Sequence, residues 1–212
     1  ETADMRYQEE FGRPIANHGI TLVPGDCVYV DLNADGEINS NDATRDIGYT
    51  DMPEYTAGLN TGFSWKNFDF SMQWTGAWNV DRMLDEFRRP LGDTNEKGLL
   101  LYQYDTTWRS SADTFTAKFP RTSSLHASNN YAGSDLYLIN ASYLRLKSVE
   151  IGYNFNFPFM KKLKMDNCRL YVNGYNLITI TGFKWGDPES RQSSRPNYPL
   201  TRVFNIGLKL GF

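Results

Sequence analysis

The chain has 212 residues, a net charge of −3 and no apolar run near the ~18 residues that a membrane helix needs. This balance excludes a helical membrane span and leaves no basic footprint for a nucleic acid; the one cationic cluster, Lys161-Lys162-Leu163-Lys164, reads as a solvated turn. Two cysteines, Cys27 and Cys168, make no disulfide framework, whereas thirteen Tyr, thirteen Phe and five Trp make the chain rich in aromatics.

From the N-terminus, Glu1 to Tyr7 is polar and has no apolar stretch of a secretory signal, so a mature end or an internal cut is expected there. The first motif with chemistry follows at Asp31-Leu-Asn33-Ala-Asp35-Gly36-Glu37-Ile38-Asn39-Ser-Asn-Asp42. Oxygen-bearing side chains at positions 1, 3 and 5, glycine at 6 and an apolar residue at 8 follow the EF-hand loop pattern. Calcium requires several oxygens, and alternate residues of a tight loop point inward. The candidate ligands are Asp31, Asn33, Asp35, Glu37 through its carbonyl, Asn39 and Asp42. Asp42 stands where an EF-hand has glutamate, and no long amphipathic helix flanks the loop. The expectation is a structural calcium site that pins a loop. The alternative is an Asx-rich turn closed by its own hydrogen bonds.

Five segments then alternate apolar and polar residues with period two, the signature of strands with two unlike faces. Tyr55, Ala57, Leu59, Thr61, Phe63 and Trp65 form the first apolar set, and Phe68, Phe70, Met72, Trp74 and Trp78 the second, joined by a tight turn at Lys66-Asn67. Val80, Met83, Leu84 and Phe87 follow helical spacing and predict a short amphipathic helix. The third strand set is Val149, Ile151, Tyr153, Phe155 and Phe157; Leu144 and Leu146 precede it in the opposite phase, which predicts a bulge at Lys147 or Ser148. The fourth begins at Cys168, Leu170 and Val172, after a short turn around Pro158 to Asn167. The fifth is Phe204, Ile206, Leu208, Leu210 and Phe212, after a polar connection from Gly182 to Arg202.

Alternation alone describes a soluble sandwich or a membrane barrel equally well. Connection lengths separate the two. Short and long connections alternate, so an antiparallel meander collects the short turns at one end and the long loops at the other, as outer-membrane barrels do. Each segment is also long enough to cross the apolar band as a tilted strand. Five strands cannot close a barrel, so the barrel reading makes this chain a portion of one. No catalytic constellation is visible. His18 and His126 stand alone, and no serine or threonine has the context of a nucleophile. A secreted, calcium-binding β-sandwich, such as a carbohydrate-binding module, is the alternative.

With these features in hand, the chain resembles the SusC/RagA family of TonB-linked outer-membrane transporters. The resemblance is carried by Gly25-Asp26-Cys27-Val28-Tyr29-Val30-Asp31-Leu32-Asn33-Ala34-Asp35-Gly36, by Ile47-Gly48-Tyr49, by Tyr55-Thr56-Ala57-Gly58-Leu59-Asn60 and by Asn67-Phe68-Asp69-Phe70-Ser71. It continues in Ser142-Tyr143-Leu144-Arg145-Leu146-Lys147-Ser148-Val149, Ile151-Gly152-Tyr153, Arg169-Leu170-Tyr171-Val172, Asn176-Leu177, Asp187-Pro188-Glu189, Tyr198-Pro199-Leu200 and Phe204-Asn205-Ile206-Gly207-Leu208, with a terminal Phe212.

The resemblance implies an all-β fold: the C-terminal strands of an antiparallel transmembrane β-barrel of about 22 strands in the parent. Residues 1–212 would then be one part of that barrel domain. Residues 24–50 form an extracellular loop with the calcium-like motif, 55–78 a hairpin, 79–141 a long extracellular loop and 142–212 the last three strands. It further implies transport and no enzyme activity: import of glycans (oligosaccharides) or peptides across the outer membrane. The implied partners are a SusD-like surface lipoprotein and the TonB complex, the latter reached through an N-terminal part that these residues lack. Outer-membrane lipid would surround the strands, and no nucleic acid is involved. Loop aromatics Tyr102, Tyr104, Trp108, Tyr131, Phe183 and Trp185 are candidates for stacking on sugar rings or for packing among the loops.

Overall fold

The computed structural model describes residues 3–85, 88, 101–113, 116–158, 164–190 and 200–212. In chain order the elements are α1 (Ala3–Phe11), β1 (Tyr55–Trp65), β2 (Phe68–Trp78), β3 (Asp81–Met83), α2 (Leu101–Thr106), α3 (Ala127–Asn130), β4 (Leu138–Asn140), β5 (Tyr143–Phe155), β6 (Asn167–Thr181) and β7 (Val203–Gly211). They fall into two compact units, Glu1–Ile47 with Met83–Leu138, and Gly48–Arg82 with Ile139–Phe212.

The second unit is a five-stranded antiparallel sheet in the order β1-β2-β5-β6-β7. Every segment expected to be a strand is one. The tight turn between β1 and β2 closes with Trp65 opposite Phe68 and places Lys66 at a left-handed φ of 53°. Register carries each strand's apolar set onto one face. Thr61, Met72 and Val149 stand side by side, as do Phe70, Ile151, Val172 and Ile206. The other face lines up Asn60 with Gln73, and Ser71 with Glu150, Asn173 and Asn205. The phase change in β5 is resolved as the sequence predicts. Register shifts between Leu146 and Ser148, leaving Lys147 as the extra residue, so Leu144 and Leu146 join Val149 and Ile151 on the apolar face.

The exposure of this sheet inverts that of a water-soluble one. On the inner strands β5 and β6 the apolar side chains Ile151, Val172 and Ile180 are 45%, 46% and 59% exposed, while the polar face holds ion pairs and the 2%-exposed Arg145. A soluble sandwich needs a second sheet over the apolar face. Among the described residues no such sheet covers it, and β1 and β7 have no partner on their outer edges. No helix among the described residues is long and apolar enough to cross a membrane, a fact that bears only on helices.

The predicted helix through Val80, Met83 and Leu84 does not form, and Phe87 lies outside the described residues. Asp81–Met83 is instead β3, which pairs with β4; Leu84 N–H donates to Tyr137 O and Ala141 N–H to Val80 O, each at 2.8 Å. Val80, Asp81, Arg82 and Leu84 are 0%, 8%, 7% and 5% exposed, so this short strand is buried on both faces rather than along one helical stripe. Helical spacing over five residues is a short signal, and pairing with a strand far along the chain overrode it.

In the first unit, Tyr7 of α1 is 6% exposed, packs on Phe11 at 4.7 Å between ring centroids, and its hydroxyl oxygen accepts from Asp31 N–H at 3.4 Å. Rings of Tyr102, Phe119 and Tyr137 form a second small core, with centroids 6.2 and 5.8 Å apart. Tyr137 is fully buried and donates its O–H to Asn130 O at 2.7 Å.

Candidate functional site

The Asp31–Asp42 loop keeps the local pattern that its sequence suggested. Asp31 Oδ1 accepts from Ala34 N–H at 2.6 Å and Oδ2 from Gly36 N–H at 2.9 Å. Asn33 Oδ1 accepts from Asp35 N–H, Asp35 Oδ1 from Glu37 N–H, and Asn39 Oδ1 from Asn41 N–H. Asp42 closes the loop, with Oδ1 accepting from Leu32 N–H and Oδ2 from Asn39 N–H, each at 2.9 Å. The Asn39 N–H, with those of Leu32 and Asn33 and the charge of Arg13, holds the Asp42 carboxyl below the ordinary carboxylate range. Gly36 takes a φ of 85° at the sharp turn. Asn17 anchors the loop from outside by giving its N–H to Gly36 O and accepting Ile38 N–H. Asp31 is buried, whereas Asn33, Asp35, Glu37 and Asn39 are exposed. Among the described residues no three acidic, His or Cys groups stand together as a metal-ligating cluster. Asp42 Oδ1 also accepts from Asn33 N–H at 3.5 Å, whereas the bonded side-chain oxygens of Asp31, Asn33 and Asp35 each retain a second lone pair. The loop is thus closed by its own hydrogen bonds, and a cation there would rely on amide and carbonyl oxygens beside Asp31 and Asp42.

Five residues before that loop, the buried carboxylate of Asp26 gathers distant segments of the same unit. Its side chain is 1% exposed. Arg121 Nε and Asn130 Nδ2 donate to Oδ1 at 2.8 Å each; His126 Nδ1 and Val23 N–H donate to Oδ2 at 2.7 and 3.0 Å. Burial raises its pKa, but the bonds from Asn130, Val23, His126 and Arg121 outweigh burial and bring it down to about 2. Next to it, Cys27 gives its N–H to Asn130 Oδ1, and burial pushes its thiol up to about 12, which makes it an unreactive packing residue. Nothing local in the sequence marks this hub, because its side-chain partners lie 95 to 104 residues away in a stretch without periodicity.

The polar face of the sheet carries two ionic networks that the sequence reading missed. Arg169 bonds both oxygens of Asp69 and, at 2.7 Å, Glu150 Oε1; Asn154 reaches Asp69, Asn173 reaches Glu150, and Asn205 reaches Asn173. This ladder spans β2, β5, β6 and β7. Two glycines make room for it. A Cβ on Gly152 would meet the Arg169 guanidinium at 2.3 Å, and one on Gly207 would meet the Tyr171 ring at 2.2 Å. The second network joins Arg145 to Asp187 and Glu189 at 2.8 Å each, with Lys147 at 3.2 Å from Glu189. Same-phase charges at cross-strand positions are the signal that could have shown the first network.

Of the loop aromatics, Tyr102 packs on Phe119, Trp108 lies against Gly25, Tyr131 gives its O–H to Arg121 O, and Phe183 is 8% exposed. Tyr104 is half exposed, with the Arg109 guanidinium 5.0 Å from its ring centroid. These rings chiefly pack the loops.

No protein-family model matches the chain. Curated proteins do. The chain is 30% identical over 206 residues to TonB-dependent receptor P3 of Formosa agariphila, covering 89% of this chain and 19% of that protein. It is 28% identical over 210 residues to TonB-dependent receptor SusC of Bacteroides thetaiotaomicron, covering 98% of this chain and 19% of that protein. The chain therefore spans about a fifth of the length of these relatives. Among solved structures, the RagAB peptide importer in its open-open state matches with a TM-score of 0.65 at 22% identity, covering 84% of this chain and 19% of that one. Its closed-closed state matches with a TM-score of 0.62 at 23% identity, covering 90% of this chain and 21% of that one. The structural matches speak to the fold: an open antiparallel sheet like part of a TonB-dependent receptor barrel. Likeness in sequence along nearly the whole chain, joined to that sheet, places this chain among the SusC/RagA-type TonB-dependent receptors.

Proposed function

We propose that the chain forms part of the wall of an outer-membrane β-barrel importer, with its apolar face against lipid and its polar face lining the passage. The observation that carries this is the inverted exposure of the five-stranded sheet. Large apolar side chains point outward from β1 to β7, and charges pair on the opposite face. Strands of 9 to 15 residues suit a tilted crossing of the apolar layer. The cargo is a large nutrient, a glycan or a peptide, captured beneath a SusD-like surface lipoprotein and imported with energy from the TonB complex. The relatives named SusC and RagAB support this direction. The chain binds and conducts rather than catalyses. The test is solubility and location. The parent protein is expected in the outer-membrane fraction, and the 212-residue chain alone is expected to require detergent. A monodisperse, detergent-free monomer would overturn the reading.

The Asp31–Asp42 loop belongs, on this proposal, to the extracellular side, where it takes calcium weakly and for structure only. Asp31, Asn33, Asp35, the Glu37 carbonyl, Asn39 and Asp42 are its donors. Millimolar calcium is expected to raise the melting temperature by a few degrees, on the order of 1 kcal/mol by mass action. Asp31→Asn is expected to abolish that rise. An unchanged melting temperature at millimolar calcium leaves a turn closed only by hydrogen bonds.

A further inference from the structure

We propose that Arg145 is a latch that keeps residues 182–190, the first stretch after β6, folded back on the polar face as a fixed strap, with Arg82 securing the same stretch. The functional meaning of the strap, narrowing the passage along that face, rests on the reading above; the latch itself does not.

Arg145 is the third residue of β5 and its side chain is 2% exposed. Each part of its guanidinium is occupied. Nη2 bonds Asp187 Oδ1 and Nη1 bonds Glu189 Oε2, both at 2.8 Å, and Nε donates to Thr179 Oγ1 at 3.1 Å. The Tyr143 ring lies 5.4 Å from its central carbon. The two carboxylates come from one rigid turn, in which Glu189 N–H donates to Asp187 Oδ1 at 2.9 Å and Ser190 N–H to Asp187 O at 3.0 Å. Between them Pro188 is buried, and its carbonyl accepts from Arg82 Nη2 at 3.4 Å. Arg82, 7% exposed, also donates to Asp51 O, so it ties the strap to the segment before β1. The root of the strap is equally fixed. Phe183 is 8% exposed, its N–H donates to Thr181 Oγ1, and the Thr181 O–H donates to Ser142 O.

Charge balances within the cluster: Arg145 and Lys147 face Asp187 and Glu189. Lifting the strap separates these charges and uncovers a guanidinium that has no other carboxylate beside it among the described residues. Charge-assisted bonds from one guanidinium to two carboxylates are among the stronger noncovalent ties, and they are directional. A lysine at position 145 supplies one point charge and cannot hold both carboxylates in the same geometry. Arg145 is therefore a positioning residue, acting on the passage only through the strap.

Hydrogen–deuterium exchange on the full-length parent protein tests the latch. Arg145→Gln is expected to speed exchange across residues 182–190 by about tenfold to hundredfold, and Glu189→Gln by about tenfold, with β5 and β6 amides unchanged. Arg145→Lys recovers part of the protection. Unchanged strap exchange in both Arg145→Gln and Glu189→Gln overturns the latch. If Arg145→Gln disturbs β5 and β6 themselves, Glu189→Gln and Asp187→Asn decide, because both lie on the strap, and unchanged exchange in them overturns it equally. The water-lined passage has its own test. A membrane-impermeant thiol reagent is expected to label Ser71→Cys on the polar face in intact outer membranes, above the background of the parent's own cysteines. Failure to label it counts against a water-lined passage and leaves the latch result standing.

Discussion

Asp26→Ala is expected to cost about 3–5 kcal/mol and to melt the loop unit locally while leaving the five-stranded sheet intact. The size follows from what the carboxylate holds. Four donors from Val23, Arg121, His126 and Asn130 converge on it, and its side chain is 1% exposed. Alanine leaves the Arg121 guanidinium half-buried without its carboxylate and the fully buried Asn130 without its acceptor. Deuterium exchange reads this directly: amides of α3 and of residues 121–126 lose protection, and those of β5 and β6 do not. Equal loss in both, or in neither, would show that Asp26 is not the tie.

The same residue sets an acid limit. Its folded pKa is depressed to about 2, below the ordinary ~4 of an unfolded aspartate. The folded state therefore binds this proton less readily than the unfolded state. The stabilisation is complete above about pH 4, fades as pH falls, and is gone below about pH 2. It amounts to on the order of 2 kcal/mol. A thermal midpoint that is flat from pH 7 to about 5 and drops between about 4 and 2 is expected, and Asp26→Asn should flatten that drop.

What the sequence made legible was what local chemistry decides. Alternation located all five long strands, because a strand with one apolar and one polar face must alternate at every step. The bulge at Lys147 was legible for the same reason: Leu146 and Val149 reach one face only if one residue is skipped. The Asp31–Asp42 loop was legible because nearly all of its bonds span five residues or fewer, apart from the closing bonds to Asp42. The rest depended on pairing across long separations. β3 is three residues long and takes its identity from β4, more than fifty residues later. The Asp26 hub and the Arg145 strap are made of ordinary charged residues whose partners are chosen by how loops fold back, a matter on which periodicity is silent. The loop aromatics show the same gap. Composition marked them as possible sugar platforms, while Trp108 against Gly25 and Tyr102 against Phe119 are engaged in holding the loops together.

Two adjacent residues of β5 give the sharpest separation of lipid from water. Val149 and Ser148 lie at the same depth near the middle of the strand, on opposite faces: Val149 pairs with Met72 and Ser148 with Gln73. If the apolar face meets lipid, Val149→Arg puts a cation near the bilayer midplane, at a cost of about 2–4 kcal/mol. Ser148→Arg points the same side chain into a face that already holds Glu150 and costs less than about 1 kcal/mol. In a water-soluble sheet the ranking collapses, since a partly exposed valine to arginine change there costs little more than a surface substitution. Denaturant unfolding of the parent protein in lipid vesicles measures both variants against the wild type. A gap of 2 kcal/mol or more between neighbours on one strand requires unlike media on the two faces. Equal costs would leave the apolar face in water, and the barrel wall without its defining asymmetry.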